Sequence, residues 1–367
     1  MLDAEIVYLY AYDIAKEADL AAIERMMRGM AERFDLGRIK DAPRDFPVFR
    51  PLAVQLNAMD VEGPNGALRL VPSVKLFSVG AMSVKVRVPV RVGTIADLAV
   101  YRDLRLADGA MLSDKAQELG RQVFDRIRPH LDTPVRDLSL PEGYTVFCVA
   151  SPIDGEEDAG EWLARNERHV AALLVGEADP ACLSAQEVRD TTQCNYSYYK
   201  RDLAVIDWDA ALLVDAPKDY NDTLYVLELA NLQLEELRSY DRQLDDVLDK
   251  AYGDVARAAR PYVFGARQRV LNELREITMD LTQVADELGN ITKFFGDWHL
   301  ARVYMGCAVR FHLAEWEKTV GEKLHALDAL YTRLLNDSNN RVMLWLETAI
   351  VALFIIDLAI IVLLGNR

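Results

Sequence analysis

The sequence predicts an α+β chain in three parts. These are a mostly antiparallel α/β body over residues 1–216, a helical bundle or stalk over 217–340, and one transmembrane tail over 341–367. Three observations carry this reading. β-branched and aromatic residues alternate with polar ones in the first half, and apolar residues recur in steps of three and four in the second. The last 26 residues hold a nearly unbroken apolar run.

Within the body, residues 6–14 form a β-rich run in which Tyr8, Tyr10 and Tyr12 share one face. Leu20, Ile23, Met26, Met27, Met30 and Phe34 follow at helical spacing, as core rather than as a binding surface. Residues 36–72 are rich in Pro, Gly and Asp and read as loops around one or two short strands. Strand returns over 74–92, where Val84, Val86, Val88 and Val90 line a buried face and Lys85 and Arg87 a wet one. Gly80 interrupts that run and marks a bend. Ser113 is the expected N-cap of a helix reaching Ile127, and 129–143 reads as a connection.

A second pass begins at Tyr144. Residues 144–150 are strand-like and 161–174 helix-like, and Ser184 with Glu187 has capping-box spacing. A strand run over 203–214 is broken at Asp207-Trp208-Asp209. Strand, helix and a broken strand pair therefore occur twice. This order predicts a pseudo-repeat, 1–140 and 141–216, with helices on one side of the sheet.

From Leu224 onward three heptad seams predict an antiparallel bundle. The first runs through Leu227, Ala230, Leu234, Leu237, Leu244, Leu248 and Ala251, with Asp241 in a seam position; the second runs from Val270 to Leu288. The third, a stalk seam, carries Val309, Leu313, Trp316, Val320, Leu327 and Leu334. Arg260-Pro261 and Gly289-Asn290 separate the three helices, and Asp297 is the expected N-cap of the last. The polar segment 336–340 is expected either to hinge or to continue the helix.

Residues 342–364 are apolar except for Glu347, Thr348 and Asp357. As a helix they extend roughly 34 Å, enough for a bilayer core of about 30 Å. Arg341 and Trp345 fit interfacial anchors, with the lipid bilayer as partner. The first 15 residues carry Asp3, Glu5 and Asp13 and resemble no export signal, so the body is expected in the cytoplasm, held at the inner membrane by a single pass. Carboxylates inside hydrocarbon face protein or water or become protonated, so Glu347 and Asp357 are candidates for an oligomer interface.

The formal net charge is −16 and the pI about 4.9, with no basic cluster, which disfavours direct nucleic-acid binding. Cys148, Cys182, Cys194 and Cys307 are scattered without a Cys-x-x-Cys pair, and the five histidines are isolated. No phosphate-binding, nucleophile-elbow or zinc-protease motif is present, so no catalytic, cofactor-binding or metal residues are expected. Asp207 with Asp209, and the group Asp241, Asp245, Asp246 and Asp249, could each ligate a cation; a solvated face is the commoner meaning of either.

The strand bend Phe77-Ser78-Val79-Gly80, the charged helices and the terminal Glu347, apolar run and Asp357 occur in that order. In this the chain resembles the required-for-meiotic-nuclear-division, or YagE, family. The resemblance implies a non-enzymatic, oligomeric, membrane-anchored scaffold. The alternative is a subunit of an ion channel or transporter, resembling the CorA magnesium channels in layout, with Glu347 and Asp357 lining an oligomeric pore.

Overall fold

The computed structural model describes residues 1–27, 31–33, 51–217, 219–257 and 298–365. The strands are β1 (Leu2–Asp13), β2 (Glu17–Ala18), β3 (Ala31–Arg33), β4 (Leu52–Gln55), β5 (Met59–Gly63), β6 (Gly66–Leu76), β7 (Ala81–Val92), β8 (Leu131–Asp132), β9 (Glu142–Ala150), β10 (Asn195–Tyr196), β11 (Leu203–Ile206) and β12 (Ala210–Asp215). The helices are α1 (Leu20–Met26), α2 (Leu112–Ile127), α3 (Ala159–Val175), α4 (Ala185–Thr192), α5 (Tyr220–Arg257), α6 (Trp298–Arg310) and α7 (Leu313–Gly365).

Ten strands form one sheet in the order β10-β11-β12-β9-β1-β7-β6-β4-β3, with β5 also on β6. β1 is the central strand, antiparallel to β7 on one side and to β9 on the other. Its period-2 pattern places Ile6, Tyr8, Tyr10 and Tyr12 in the core. β9 and β12 are parallel, which requires the crossover that α3 and α4 supply. α3 starts on Asp158, whose carboxylate accepts from the Gly160 and Glu161 N–H groups, and ends on Gly176 in the left-handed conformation. Ser184 caps α4 by accepting from the Glu187 N–H at 3.0 Å.

This is one continuous mixed sheet, antiparallel in its described pairings except between β9 and β12, and not two repeated halves. Helices cover both of its faces, which corrects the one-sided expectation. Gly120 of α2 lies against Met82, Val84 and Tyr12. Ser83 and Lys85, which alternate with those residues along β7, instead meet Glu228 of α5. The face expected to be wet is therefore covered, and Lys75 and Lys85 are buried.

Two further expectations change. The helical pattern from Leu20 stops at Met26, and β3 follows at 31–33; the side chains of Met30 and Phe34 lie outside the described residues. The loop expected over 36–72 holds β4, β5 and the start of β6 from residue 52 onward, because Leu52, Val54, Leu68 and Leu70 alternate inward. Its first part, 36–50, lies outside the described residues.

α5 is buried at every position over 224–237. Its apolar residues do not form the single stripe of a two-helix seam; a helix covered all round is a central element. Its polar residues find partners: Asn231 Nδ2 donates to the Glu142 carbonyl at 3.1 Å, and the Tyr304 hydroxyl of α6 donates to Gln233.

The chain divides into two compact units, Met1–Ser239 with Thr282–Glu317, and Tyr240–Leu281 with Lys318–Arg367. The first holds the sheet and its helices. In the second, Lys323 of α7 reaches Asp241 at 2.6 Å and Asp245 at 2.7 Å on α5. α6 and α7 are separate helices, with His312 at φ +53° between them. Once begun, α7 runs through 336–340 without a break. The second seam, both expected loops and Asp297 lie outside the described residues.

Among the described residues no helix is long and apolar enough to cross a membrane. The transmembrane tail, tail anchoring and placement in the inner membrane are therefore not supported. The described part of the apolar run on α7 is interrupted by exposed Glu347.

Candidate functional site

The residues singled out along α7 are dispersed. Leu313, Val320 and Leu327 are buried, Trp316 is half-buried, and Val309 is exposed on α6, beyond the turn at His312. Glu347 is exposed. The side chains of Leu334, Arg341, Trp345 and Asp357 lie outside the described residues.

Asp207 and Asp209 flank the tight turn between β11 and β12 and do not converge. Arg310 of α6 forms an ion pair with buried Asp207, while Arg102 grips both oxygens of Asp209 at 2.7 and 2.8 Å. An arginine on each carboxylate removes the charge a divalent cation would need. Of the second acidic group, Asp241 and Asp245 are held by Lys323. Among the described residues, no group of three or more His, Cys, Asp or Glu side chains is placed to hold a metal. All four cysteines are free thiols.

Two arrangements were not foreseen. The first is a shallow pocket of about 310 Å³ between the β11–β12 edge, the start of α5 and the start of α6. Asp202, Asp215, Asp219 and Asp222 line it together with Tyr198, Tyr199 and His299. Asp202 organises the loop by accepting the N–H groups of Tyr198 and Tyr199, and His299 Nε2 lies 3.9 Å from it. Burial raises the Asp215 carboxyl above its ordinary value, and the like charges of Asp202 and Asp219 add to the effect.

The second is a buried ion cluster between sheet and central helix. Glu228 of α5 accepts from Lys75 Nζ at 2.6 Å and from the Ser83 hydroxyl at 2.7 Å, with Lys85 Nζ at 3.6 Å. The Tyr225 ring lies over the Lys75 ammonium, 4.2 Å from ring centre to nitrogen. Burial disfavours the Glu228 anion, yet the two lysines and the Ser83 hydrogen bond outweigh it and hold the carboxyl at about 2. Two ammonium groups share one carboxylate. Burial drives Lys75 down to about 7 despite the attraction of Glu228. The sequence did carry a signal for this cluster: a lone glutamate in the run Val226-Leu227-Glu228-Leu229-Ala230, and lysines at one parity of two adjacent strands.

These features define a mixed α/β protein whose central helix is tied to a ten-stranded sheet by buried charge. The chain belongs to the family described as "Uncharacterized protein MJ0711, N-terminal domain", whose model matches residues 3–220, up to the first residue of α5. It is 22% identical over 250 residues to "Uncharacterized protein MJ0711" of Methanocaldococcus jannaschii, an alignment covering 66% of this chain and 72% of that protein. No solved structure matches. Nothing among these relatives points to the meiotic-nuclear-division or YagE family, and that resemblance is set aside. Its strand motif is explained locally. Phe77 is a buried residue and Gly80 takes φ +81° in the β6–β7 turn, requirements that any tight hairpin at this place would impose.

Proposed function

We propose that this protein is a non-enzymatic scaffold that self-associates through its long helix α7. The observation behind this reading is the stretch 343–356, where the large apolar side chains described are exposed on every face of the helix, from 51% at Ile350 to 71% at Phe354. A helix apolar all round is stable only when something covers it. A second copy of the same helix is the cover adopted here. Nine large apolar side chains, each more than half exposed, offer an area comparable with the ~800 Å² per partner of a stable interface. The non-enzymatic part is supported by the arginines on Asp207 and Asp209 and by the lack of catalytic motifs in the sequence. A pore built on Glu347 and Asp357 requires a membrane span and is not carried forward.

Sedimentation of the full chain at micromolar concentration tests the reading. A dimer or larger assembly is expected, and Ile350→Glu with Leu353→Glu should dissociate it. A chain that sediments as a monomer overturns self-association. So does one that stays monomeric and instead binds phosphatidylglycerol vesicles through the same residues.

A further inference from the structure

The sheet forks at β6 and β7. Their ladder runs from Leu76↔Met82 to Val71↔Arg87 and stops there. Beyond that point β6 stays with β5, ending at Gly63↔Gly66, while β7 stays with β1, ending at Leu2↔Val92. Between the diverging strands lies a crevice of about 550 Å³, walled by Ala67 and Leu68 on one side and Val90 and Arg91 on the other, with Asn65 and Tyr101 at its base.

The direction of the peptide groups along β7 follows from alternation. The Pro72 carbonyl accepts from the Leu56 N–H on the β4 side, so even residues of β6 face β4 and β5, and odd residues face β7. Their partners on β7 are Ser83, Lys85 and Arg87. By the same alternation, Pro89 and Arg91 turn their peptide groups toward the fork. Pro89 has no N–H to lose there, which is why the ladder can end at this point. The Pro89 carbonyl and the Arg91 N–H and carbonyl are then presented to the crevice without a ladder partner.

We propose that this crevice accepts an extended segment of a partner polypeptide as a short added strand on the free edge of β7, running antiparallel to it. Backbone groups repeating on alternate residues match another strand better than they match a compact ligand. The free edge over 88–92 offers about 17 Å of strand. At the rim the Arg91 charge is paired with Asp3 at 2.7 Å, while the Asp97 carboxylate keeps its negative charge and accepts the neutral Thr94 N–H at 2.8 Å. The occupant is an extended β-branched segment without acidic residues, which this anion would repel. Exposed Val100 gives it an apolar contact.

Amide hydrogen exchange of the full chain, with and without an acetylated, amidated hexapeptide of alternating valine and threonine, tests this. At millimolar peptide the Arg91 amide should exchange about tenfold more slowly, while the Val90 amide, facing β1, stays as it was. The same peptide N-methylated on alternate residues should have no effect, and Ala67→Trp, which fills the crevice, should abolish the protection. The proposal is overturned if Arg91 is already as protected as Val90 in the free chain. It is likewise overturned if the peptide leaves Arg91 unchanged, or if protection survives N-methylation or Ala67→Trp.

Discussion

Glu228 on α5 and Lys75 on β6 lie 2.6 Å apart and are both buried, 143 residues or more separating Glu228 from every sheet residue that holds it. This pair joins the central helix to the sheet at one register. A helix buried on all faces gains little orientational preference from apolar contact alone, since its sides are similarly greasy. A single carboxylate that must meet Lys75, Lys85 and Ser83 selects one rotation and one axial position.

Breaking the cluster from the acidic side should be the costlier change. Glu228→Ala removes the carboxylate that Lys75, Lys85 and Ser83 share and is expected to destabilise the first unit by about 3–5 kcal/mol. Lys75→Met retains the Lys85–Glu228 pair, so it should cost under about 2 kcal/mol. Urea unfolding of the two variants checks the order.

The cluster also sets a pH dependence with two arms. Glu228 ionises at about 2 in the fold against an ordinary 4.5, so the unfolded chain binds more protons in between. Stability is present above about 4.5 and falls as pH drops toward 2, by on the order of 3 kcal/mol from this group, and Glu228→Gln should flatten that fall. Lys75 gives up its proton at about 7 in the fold but near 10.5 in the unfolded chain. Again the unfolded chain holds the extra proton, so stability should rise from pH 7 upward, and Lys75→Met should remove the rise. Unfolding free energies measured from pH 2 to 10 on the three proteins decide both arms.

Gly80 is the position in the β6–β7 turn least able to accept a side chain. At φ +81° an added Cβ would lie 1.8 Å from the Ala15 carbonyl oxygen, which is backbone and unable to swing aside. Gly80→Ala should destabilise by about 3 kcal/mol or more, read as a lowered midpoint in thermal unfolding.

Lys323 bridges Asp241 and Asp245 on the surface of the second unit. Burial works against its ammonium, yet the two carboxylates raise its pKa above the ordinary lysine value. The groups are partly exposed, so Lys323→Ala should cost no more than about 1 kcal/mol, and less at high salt. A loss that does not shrink in 1 M salt, an ionic strength at which screening is nearly complete, would contradict the assignment.

Local pattern was readable from the chain where it had a local cause. β1, β9 and the β11–β12 pair followed from alternating residues bounded by turn formers, and α3 and α4 from caps and apolar spacing. Spacing alone misled where partners come from afar. The lysines of β6 and β7 read as solvent-facing because a strand records which side chains share a face and not what covers that face. The same limit produced a stripe on α5 where the helix is enclosed. It also produced a carboxylate pair at Asp207 and Asp209, where Arg310 and Arg102 draw the two apart.

The chain by itself determined β1, β9, the β11–β12 pair, the capped helices α3 and α4, the turn at Gly80 and the acidic charge of −16; these elements depend on neighbours within a few residues. Only the tertiary structure decided that β9 and β12 run parallel, that α5 lies at the centre, that Glu228 meets Lys75 and Lys85, and that β6 and β7 part beyond Arg87. Those outcomes turn on which distant surfaces meet. Burial and charge pairing act through space, and their free energy is set by groups scores of residues away along the chain.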